Sequence, residues 1–518
     1  MTSKTPQRTE SARDKIRSIT DATARREELT RNGEVVVLAH GVFDLVHMGH
    51  VRHLEAALRE GNRLFVSITS DLFVNKGPGR PIFPEMQRAE MLGALEYVDT
   101  VIINDSSDSS TLIRRIQPDI YVKGSDYKNA ADDVTGKITD EQEAVEAHGG
   151  RIVFTDDITY SSSSLINQFM DVFDPELRTY LANARDRGIE AQINAALEKI
   201  AGLRVLVVGD AIIDEYHYVN AMGKSAKEHM IATRYTTSER FAGGVFAAAN
   251  HIASFCKEVE ILTLLGGDES HEDFIREHLA SNVTLKPVVR DGVPTTRKSR
   301  FVDTGYVRKL FEVYYFDDSP PPGPVRDEIC SIVREQAGDF DLVVVTDFGH
   351  GMIDEPVVQA LRDTAKFLAV NTQTNSANHG YNLITKYPHA DFICVDAPEA
   401  QLAAKDRFSP IEKIVTDPLS KLVDCEKFIV THGQQGCVVY DGPENIMRIP
   451  AFTKTVVDTV GAGDAFFSIA APLAAIGAPM EVVAFAGNAA GGIKVGIVGH
   501  RKNVEKVPLI KYVTTLLK

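Results

Sequence analysis

Two clusters of residues in this 518-residue chain have the types and spacing for phosphate chemistry. The first is Asp458-Thr459-Val460-Gly461-Ala462-Gly463-Asp464. The small residues Gly461, Ala462 and Gly463 let backbone N–H groups approach an anion, and the apolar run Ala465, Phe466, Phe467, Ile469 reads as a buried helix. A glycine turn opening a helix gathers free N–H donors at the positive end of the helix dipole. Asp464 stands at the mouth of that turn, where a carboxylate can take a proton from a substrate hydroxyl. A bare G-A-G-D is also compatible with a turn capped by its own Asp. The second cluster is Gly41-Val42-Phe43-Asp44-Leu45-Val46-His47-Met48-Gly49-His50, directly after a β-branched run at 35–39. It places His47 and His50 near a helix N-terminus, where two imidazoles can hold triphosphate oxygens and stabilise charge on the phosphorus under attack. Gly49 has no side chain and admits a nucleotide. Taken alone, H-x-x-H reads more readily as a metal pair or as surface histidines.

The elements that position these clusters alternate strand and helix. In the first part, strands are predicted near 35–39, 64–69, 98–103, 120–122 and 152–154, with helices near 51–59, 88–95, 111–116 and 141–148. In the second, strands are predicted near 205–208, 259–264, 342–345, 367–370, 392–395, 428–430 and 438–440. Such alternation implies α/β architecture with parallel sheets and crossover helices. Four segments follow: a polar, helical N-terminal arm over 1–30, an α/β domain over 31–173, a charged helical linker over 174–200, and a larger α/β domain over 201–518. A chain of this length is expected to form two or three domains. The proline-rich stretch at 320–324 marks a surface loop.

Composition narrows the function. Hydrophobic content of 44% and charged content of 25% are globular values. The net charge of −16 argues against binding nucleic acid or a membrane surface. No apolar run is long enough for membrane insertion, and the polar first 31 residues lack the core of a secretory signal. The five cysteines have no metal-ligand spacing, which suits a reduced cytoplasm.

The full G-x-F-D-x-x-H-x-G-H string resembles the nucleotidyltransferases that activate sugar and alcohol phosphates. These displace pyrophosphate from an NTP without a protein nucleophile. Three more stretches carry the same likeness. Arg80-Pro81 followed by Glu85-Met86-Gln87-Arg88 resembles the R-P…E-x-R segment. Tyr121-Val122-Lys123-Gly124-Ser125-Asp126-Tyr127 resembles V-K-G-x-D-Y, whose Lys approaches the phosphates. Ser161-Ser162-Ser163 resembles S-T-T, whose hydroxyls meet the triphosphate. The resemblance covers 35–172. It implies catalytic roles for His47, His50 and Lys123, and nucleotide contacts from Gly41, Phe43, Asp44, Gly49, Arg88, Gly124, Asp126, Ser161, Ser162 and Ser163. The V-K-G-x-D-Y form resembles the heptose-phosphate branch of that family more than the glycerol-phosphate branch, and this resemblance tilts the nucleotide toward ATP over CTP and the acceptor toward a sugar 1-phosphate.

The D-T-V-G-A-G-D-A-F-F string resembles the ribokinase-like sugar kinases from Arg204 to about Gly499. There the last Asp is the catalytic base, here Asp464, and the glycine turn, here Gly461, Ala462 and Gly463, is the anion hole. The resemblance further implies sugar contacts from Asp214, Gly243, Gly244 and Lys298, a short-stranded lid over 215–240, and nucleotide contacts from Thr431, Gly433, Gly436 and Asn488. Asp396 and Glu399 would organise Mg²⁺ indirectly, and a monovalent cation is a further expected cofactor beside ATP and Mg²⁺.

Together the halves resemble the bifunctional heptose-phosphate kinase/adenylyltransferases of ADP-heptose synthesis, but with the two domains in reversed order. Three sugar-side segments depart from that family. Ala247 stands where it has an Asn, Ser225-Ala226-Lys227-Glu228-His229 replaces a lid S-P-E-A-P, and Asn371-Thr372-Gln373 replaces D-P-K. A pocket that loses particular donors rejects the old substrate, so a related, non-standard sugar or a weakened kinase is expected. Alternatives from other classes are a transferase whose kinase-like half only binds a ligand or dimerises, and a cytidylyltransferase acting on a polyol phosphate. The expected partners are a small-molecule sugar phosphate, a nucleotide and further copies of the chain, as a homodimer or higher oligomer.

Overall fold

The structure is a computed structural model that describes residues 10–74, 76–77, 80–106, 108–124, 137–155, 166–167, 173–305 and 308–518. Asp126, Ser161, Ser162 and Ser163 lie outside the described residues. The chain divides into two compact units, with the division falling between Asp174 and Pro175 and a few C-terminal residues grouped with the first.

The first unit is built on a six-stranded sheet of β1 (Ile16–Arg17), β2 (Val36–Gly41), β3 (Arg63–Thr69), β4 (Val98–Asn104), β5 (Ile120–Gly124) and β6 (Arg151–Thr155), in the order β1-β4-β3-β2-β5-β6. Every pair is parallel. β2 and β3 are almost wholly buried because helices cover both faces, which is why they read as continuous apolar runs rather than alternating ones. From β2 the chain winds outward through β3 and β4, then returns to add β5 on the other side of β2. The carboxyl ends of β2 and β5 therefore flank the point where strand order reverses, the usual ligand crevice of such sheets.

The segment read as a solvated arm is part of this sheet. Ile16 and Arg17 pair with Val101 and Ile102 of β4. The helix Ile19–Arg31 starts at Ser18, whose hydroxyl accepts the Asp21 N–H (3.1 Å), and buries Ala22 and Leu29. Its charges are partly paired: Arg25 bonds Asp99, and Arg26 bonds Asp119 (2.7 Å). Burial of two small stretches of an otherwise charged segment is enough to dock it.

The second unit has a nine-stranded sheet. Its strands are β7 (Arg204–Gly209), β10 (Glu258–Gly266), β11 (Val283–Arg290), β14 (Leu342–Asp347), β15 (Leu368–Thr372), β16 (Phe392–Asp396), β17 (Lys427–Thr431), β18 (Cys437–Asp441) and β19 (Ile446–Ile449). The order is β11-β10-β7-β14-β15-β16-β17-β18-β19, parallel except for the antiparallel β17-β18-β19 edge. The reversal point here lies between β7 and β14. A four-stranded sheet, β13-β12-β8-β9, grows directly from β7 and is made of β8 (Ala211–Lys224), β9 (Ile231–Gly244), β12 (Arg297–Asp303) and β13 (Arg308–Tyr315). The expected lid strands are not short: β8 and β9 each run 14 residues. Residues 225–230 form the exposed tip of their hairpin, closed by Ser225 N–H to Met230 O (2.8 Å).

The helices Pro175–Asp186 and Ile189–Ile200, read as a linker, are part of this unit's packing. Leu177, Leu181, Ile189, Ile193, Leu197 and Ile200 are buried, and the Tyr180 ring stacks near Phe452 and Phe485. Their apolar residues recur at helical spacing, which marks a face seated on a core.

Candidate functional sites

In the first unit, β2 ends at Gly41 and the chain turns into the helix Met48–Arg59. Phe43 adopts a left-handed backbone (φ 50°), and its buried ring packs where a Cβ at Gly41 would lie, 3.1 Å away. A side chain at Gly41 would therefore press on the Phe43 ring. His47 caps the helix, its Nδ1 accepting the Gly49 N–H at 3.1 Å. The His47 and His50 rings stack with centroids 4.0 Å apart, and Phe43 tilts against His50 at 5.0 Å. His47 Nε2 and His50 Nδ1 are buried and have no hydrogen-bond partner among the described residues. Burial, followed by the charge of Lys76, holds His47 below the ordinary imidazole range. Burial, then His47, Lys76 and His53, pushes His50 down to about 3. The pair is therefore neutral near pH 7, with nitrogens left to bond an incoming anion.

Other residues of this cluster hold the loop rather than face it. Asp44 is buried and accepts the Ile82 N–H (2.6 Å) and Arg80 Nη1 (3.1 Å). Arg88 is fully buried and donates to Phe83 O, Val42 O (2.6 Å) and Asp71 (2.6 Å). Its donors point inward, tying the helix Glu85–Gly93 to the Gly41–His47 turn. Lys123 and Gly124 end β5 across the reversal point. Lys123 Nζ lies 2.7 and 3.0 Å from the two carboxylate oxygens of Glu141, which also accepts from Ser109. Among the described residues, no atom lies within 4 Å of a Cβ placed on Gly124. The sequence reading passed over Glu141, Lys76 and His40; His40 Nδ1 meets Ser67 Oγ at 2.8 Å. Nothing local in the sequence marks Glu141, which reaches Lys123 only through the fold.

In the second unit, Gly461 (φ 75°) precedes the helix Ala462–Ala475. The Ala462 N–H turns back to Thr459 O (3.2 Å), while those of Gly463 and Asp464 lie in the first turn, where helical N–H groups have no intrahelical acceptor. A Cβ on Gly463 would meet nothing within 4 Å, so that side of the turn is open. Asp464 is buried, and its Oδ1 accepts Gln373 Nε2 at 2.6 Å. Burial raises its pKa, with His500, Lys494 and Gln373 pulling the other way.

Asp214 in β8 pairs in register with Lys298 of β12 and Phe241 of β9. It bonds Arg300, and His500 Nε2 lies 3.4 Å away. Burial alone would raise the Asp214 pKa, but Arg300 and His500 outweigh it and hold the carboxyl well below the usual range. A side chain at Gly243 would collide with Asp214, and Gly244 (φ 55°) approaches Asp210 O. The Lys298 ammonium is buried over the rings of Tyr314 (5.2 Å) and Phe348 (5.9 Å), with burial pulling its pKa down against Asp214. At the reversal point, burial and Asp347 raise Asp210 to about 6. His350 follows β14 with both ring nitrogens buried and unpartnered among the described residues, and burial lowers it to about 3.

The nucleotide-side expectations sort differently. Thr431 ends β17, and Gly433 (φ 51°) and Gly436 (φ 86°) shape the turn that follows. A side chain at Gly436 would strike Ile449 O. Asn488 is buried, with its amide donating to Pro450 O (2.8 Å), so it fastens the segment after β19. Asp396 caps the helix Ala397–Ala404 in a capping box with Glu399. Both Glu399 oxygens accept backbone N–H groups, from Thr374 (2.9 Å) and Asp396 (2.8 Å). Burial raises Glu399 to about 7. Of the sugar-side replacements, Ala247 is buried in the helix Val245–Ala253, Asn371 bonds Cys394 O (2.7 Å), and Gln373 reaches Asp464. Gln373, His500 and Lys494 converge on Asp464 from distant parts of the chain, which is why spacing alone could not show them.

A profile of the pfkB family carbohydrate kinases matches residues 203–506, more than half of the chain. The chain belongs to the pfkB family of carbohydrate kinases. The preceding unit matches a cytidylyltransferase-like profile over 38–169. Proteins named "Bifunctional protein HldE" are among the relatives of this chain. That of Gluconobacter oxydans is 44% identical over 132 residues, which cover 25% of this chain and 26% of its own length. That of Methylobacillus flagellatus is 39% identical over 155 residues, 30% of each. That of Rhodopseudomonas palustris is 27% identical over 310 residues, 58% of this chain and 62% of its own. The chain thus spans less than two thirds of the length of each of these relatives. Among solved structures, Escherichia coli phosphofructokinase-2 in complex with potassium has a TM-score of 0.49 at 15% identity, covering 61% of this chain and all of that one. Arabidopsis thaliana ribokinase, complexed with ribose and ATP, has a TM-score of 0.44 at 19% identity, covering 61% and 99%. No helix among the described residues of the pfkB-family chain is long and apolar enough to cross a membrane.

Proposed function

We propose that this pfkB-family chain is a bifunctional enzyme of sugar-nucleotide synthesis. The kinase unit phosphorylates a sugar or sugar phosphate from ATP, and the first unit joins a sugar 1-phosphate to an NTP, ATP or CTP, releasing pyrophosphate. The observation that carries the reading is the buried Asp464 on the first turn of its helix, beside an open glycine turn and within electrostatic reach of Asp214 through His500.

In the kinase unit, Asp464 accepts the proton of the attacking hydroxyl, and the glycine turn of Gly461, Ala462 and Gly463 holds the moving phosphoryl group through the first-turn N–H groups that have no intrahelical acceptor. Asp214, kept ionised by Arg300, orients the acceptor's hydroxyls beside Gly243 and Gly244. Mg²⁺ bound with ATP would supply charge neutralisation at the phosphates. Asp396 stands at a strand end suited to act on it indirectly, while Glu399 fixes Thr374 and the helix start. Thr431, Gly433 and Gly436 form the turn proposed to meet the nucleotide. In the first unit, the unbonded nitrogens of His47 and His50 donate to triphosphate oxygens, and the sugar phosphate oxygen attacks the α-phosphorus directly. Lys123, Gly124 and, outside the described residues, Asp126 and Ser161 to Ser163 complete that proposal. Replacement at Ala247 and residues 371–373 fits an acceptor related to, but different from, the usual heptose phosphate. Free cysteines throughout suit a cytoplasmic protein, and a homo-oligomer is part of the proposal.

The test is a screen on the full chain of sugars and sugar phosphates for ADP formation, and of NTPs with sugar 1-phosphates for pyrophosphate. Both activities are expected. A second reading, in which the kinase unit binds a ligand without turnover, draws on the sugar-side replacements; absence of ADP formation with every sugar tried would select it.

A further inference from the structure

Two loops meet behind the glycine turn of the kinase unit: residues 459–463, and residues 498–500, which carry His500. Asp458 and Lys494 hold the same two residues of these loops by opposite groups. Asp458 Oδ1 accepts the Val460 N–H (3.1 Å) and Oδ2 the Gly499 N–H (2.9 Å). Lys494 Nζ donates to Val460 O (2.9 Å) and Gly499 O (2.6 Å). Lys494 ends the helix Met480–Lys494 and is completely buried, its Cε 3.3 Å from where a Cβ on Gly461 would stand. Asp458 also accepts Tyr216 OH (2.9 Å) and Lys309 Nζ (2.7 Å).

A buried ammonium is costly unless it is hydrogen-bonded and faces negative charge. Lys494 has both: two main-chain carbonyls, and Asp458, Asp464 and Asp214 within electrostatic reach, with Lys309 opposing. A monovalent metal ion at this turn would need inward-facing carbonyl oxygens. Those of Val460 and Gly499 are already bonded by Lys494, so the residues present do not fit the monovalent cation that the family resemblance implies.

We propose that Lys494 is a positioning residue and the built-in cation of the kinase unit. With Asp458 it clamps the glycine turn to the His500 loop, so the phosphate donors stay aligned without a monovalent ion from solution. The inference rests on the proposed phosphoryl transfer for its activity readout but not for its binding readout.

The experiment uses the full chain in KCl, NaCl and choline chloride at equal ionic strength. Wild-type ADP formation with the best acceptor is expected to agree within about twofold across the three salts. Lys494→Met is expected to be slower by about tenfold or more in choline, through misplaced donors, and to regain rate in KCl or NH₄Cl. A merely structural lysine would give no such salt-specific rescue. Severalfold activation of the wild type by K⁺, or a wild-type rate from Lys494→Met, overturns the proposal. If Lys494→Met does not fold, the wild-type salt comparison decides alone. If no acceptor is phosphorylated, the transfer reading fails separately, and the clamp is judged by the melting shift that Mg·ATP gives the wild type. Equal shifts in the three salts support it, and a shift several degrees larger in KCl overturns it.

Discussion

The two units offer phosphate donors of different kinds. The first presents side chains, the imidazoles of His47 and His50, each with a buried nitrogen that has no hydrogen-bond partner among the described residues. The second presents main chain, the first turn of the helix Ala462–Ala475, and adds one acid, Asp464. Side-chain donors can be deleted singly, whereas main-chain donors survive any substitution that keeps the turn. The charge logic also differs. The histidines are held neutral by burial, so the proposed role for them is as hydrogen-bond donors. Burial raises the Asp464 pKa, and Gln373, His500 and Lys494 pull it the other way. On the proposed roles, the contrast is between one proton acceptor, Asp464, at the turn of the second unit and work shared between two rings in the first.

The largest expected effect follows from that difference. Asp464→Asn keeps the Gln373 contact in near-isosteric form but cannot accept a proton, so sugar phosphorylation should fall by about 10²–10⁴-fold. Steady-state ADP formation by the folded mutant checks it, and a wild-type rate would make Asp464 a helix cap. Next is His47→Ala, which should raise the barrier to pyrophosphate release by about 2–4 kcal/mol, as for loss of one oxyanion-type donor. Because His50 remains, the rate should stay measurable; unchanged turnover would break the assignment of the stacked pair.

Smaller effects sharpen the comparison. Lys123→Ala should weaken NTP binding or slow transfer with the fold intact, because it leaves Glu141 as an uncompensated acid at the mouth of β5. Isothermal titration with the preferred NTP, together with the transfer rate, checks this. If both stay at wild-type levels, the Lys123–Glu141 pair is only structural. The smallest effect is on stability. His50 and His350 have folded pKa values near 3, below the unfolded value of about 6.5. Between these limits the unfolded chain binds more protons, so stability should fall as pH drops from about 6.5 toward 3. Denaturant midpoints of His350→Gln should lose part of that acid sensitivity, whereas an unchanged slope would contradict a buried neutral His350.

Much of the architecture was legible because its strands are continuous apolar runs between helical stretches, as at Val36–Gly41 and Leu342–Asp347. The glycine turn and the H-x-G-H turn were legible because each is a local string. The two-residue β1 was not, since Ile16 and Arg17 show no period and are defined only by pairing with β4. The lid was expected over 215–240, but the 14-residue length of its strands was not, because their outer ends are largely exposed and carry no buried apolar run. Residue roles that depend on long-range approach were also hidden. Gln373 stands 91 positions from Asp464, and Arg88 looked like a ligand contact but is turned into the core to hold Val42 and Phe83. Arg80, quoted only as part of a motif, proves to be the buried partner of Asp44.

The most direct measurement takes the full chain as wild type, Asp464→Asn and His50→Ala, and follows sugar-dependent ADP formation and NTP-dependent pyrophosphate release on the same preparations. Each unit has its own sheet and its own phosphate donors, so the losses should be reciprocal: Asp464→Asn loses only ADP formation, and His50→Ala only pyrophosphate release. Loss of both activities from either single substitution, or of neither from both, would contradict the assignment of two separate phosphate-transfer sites.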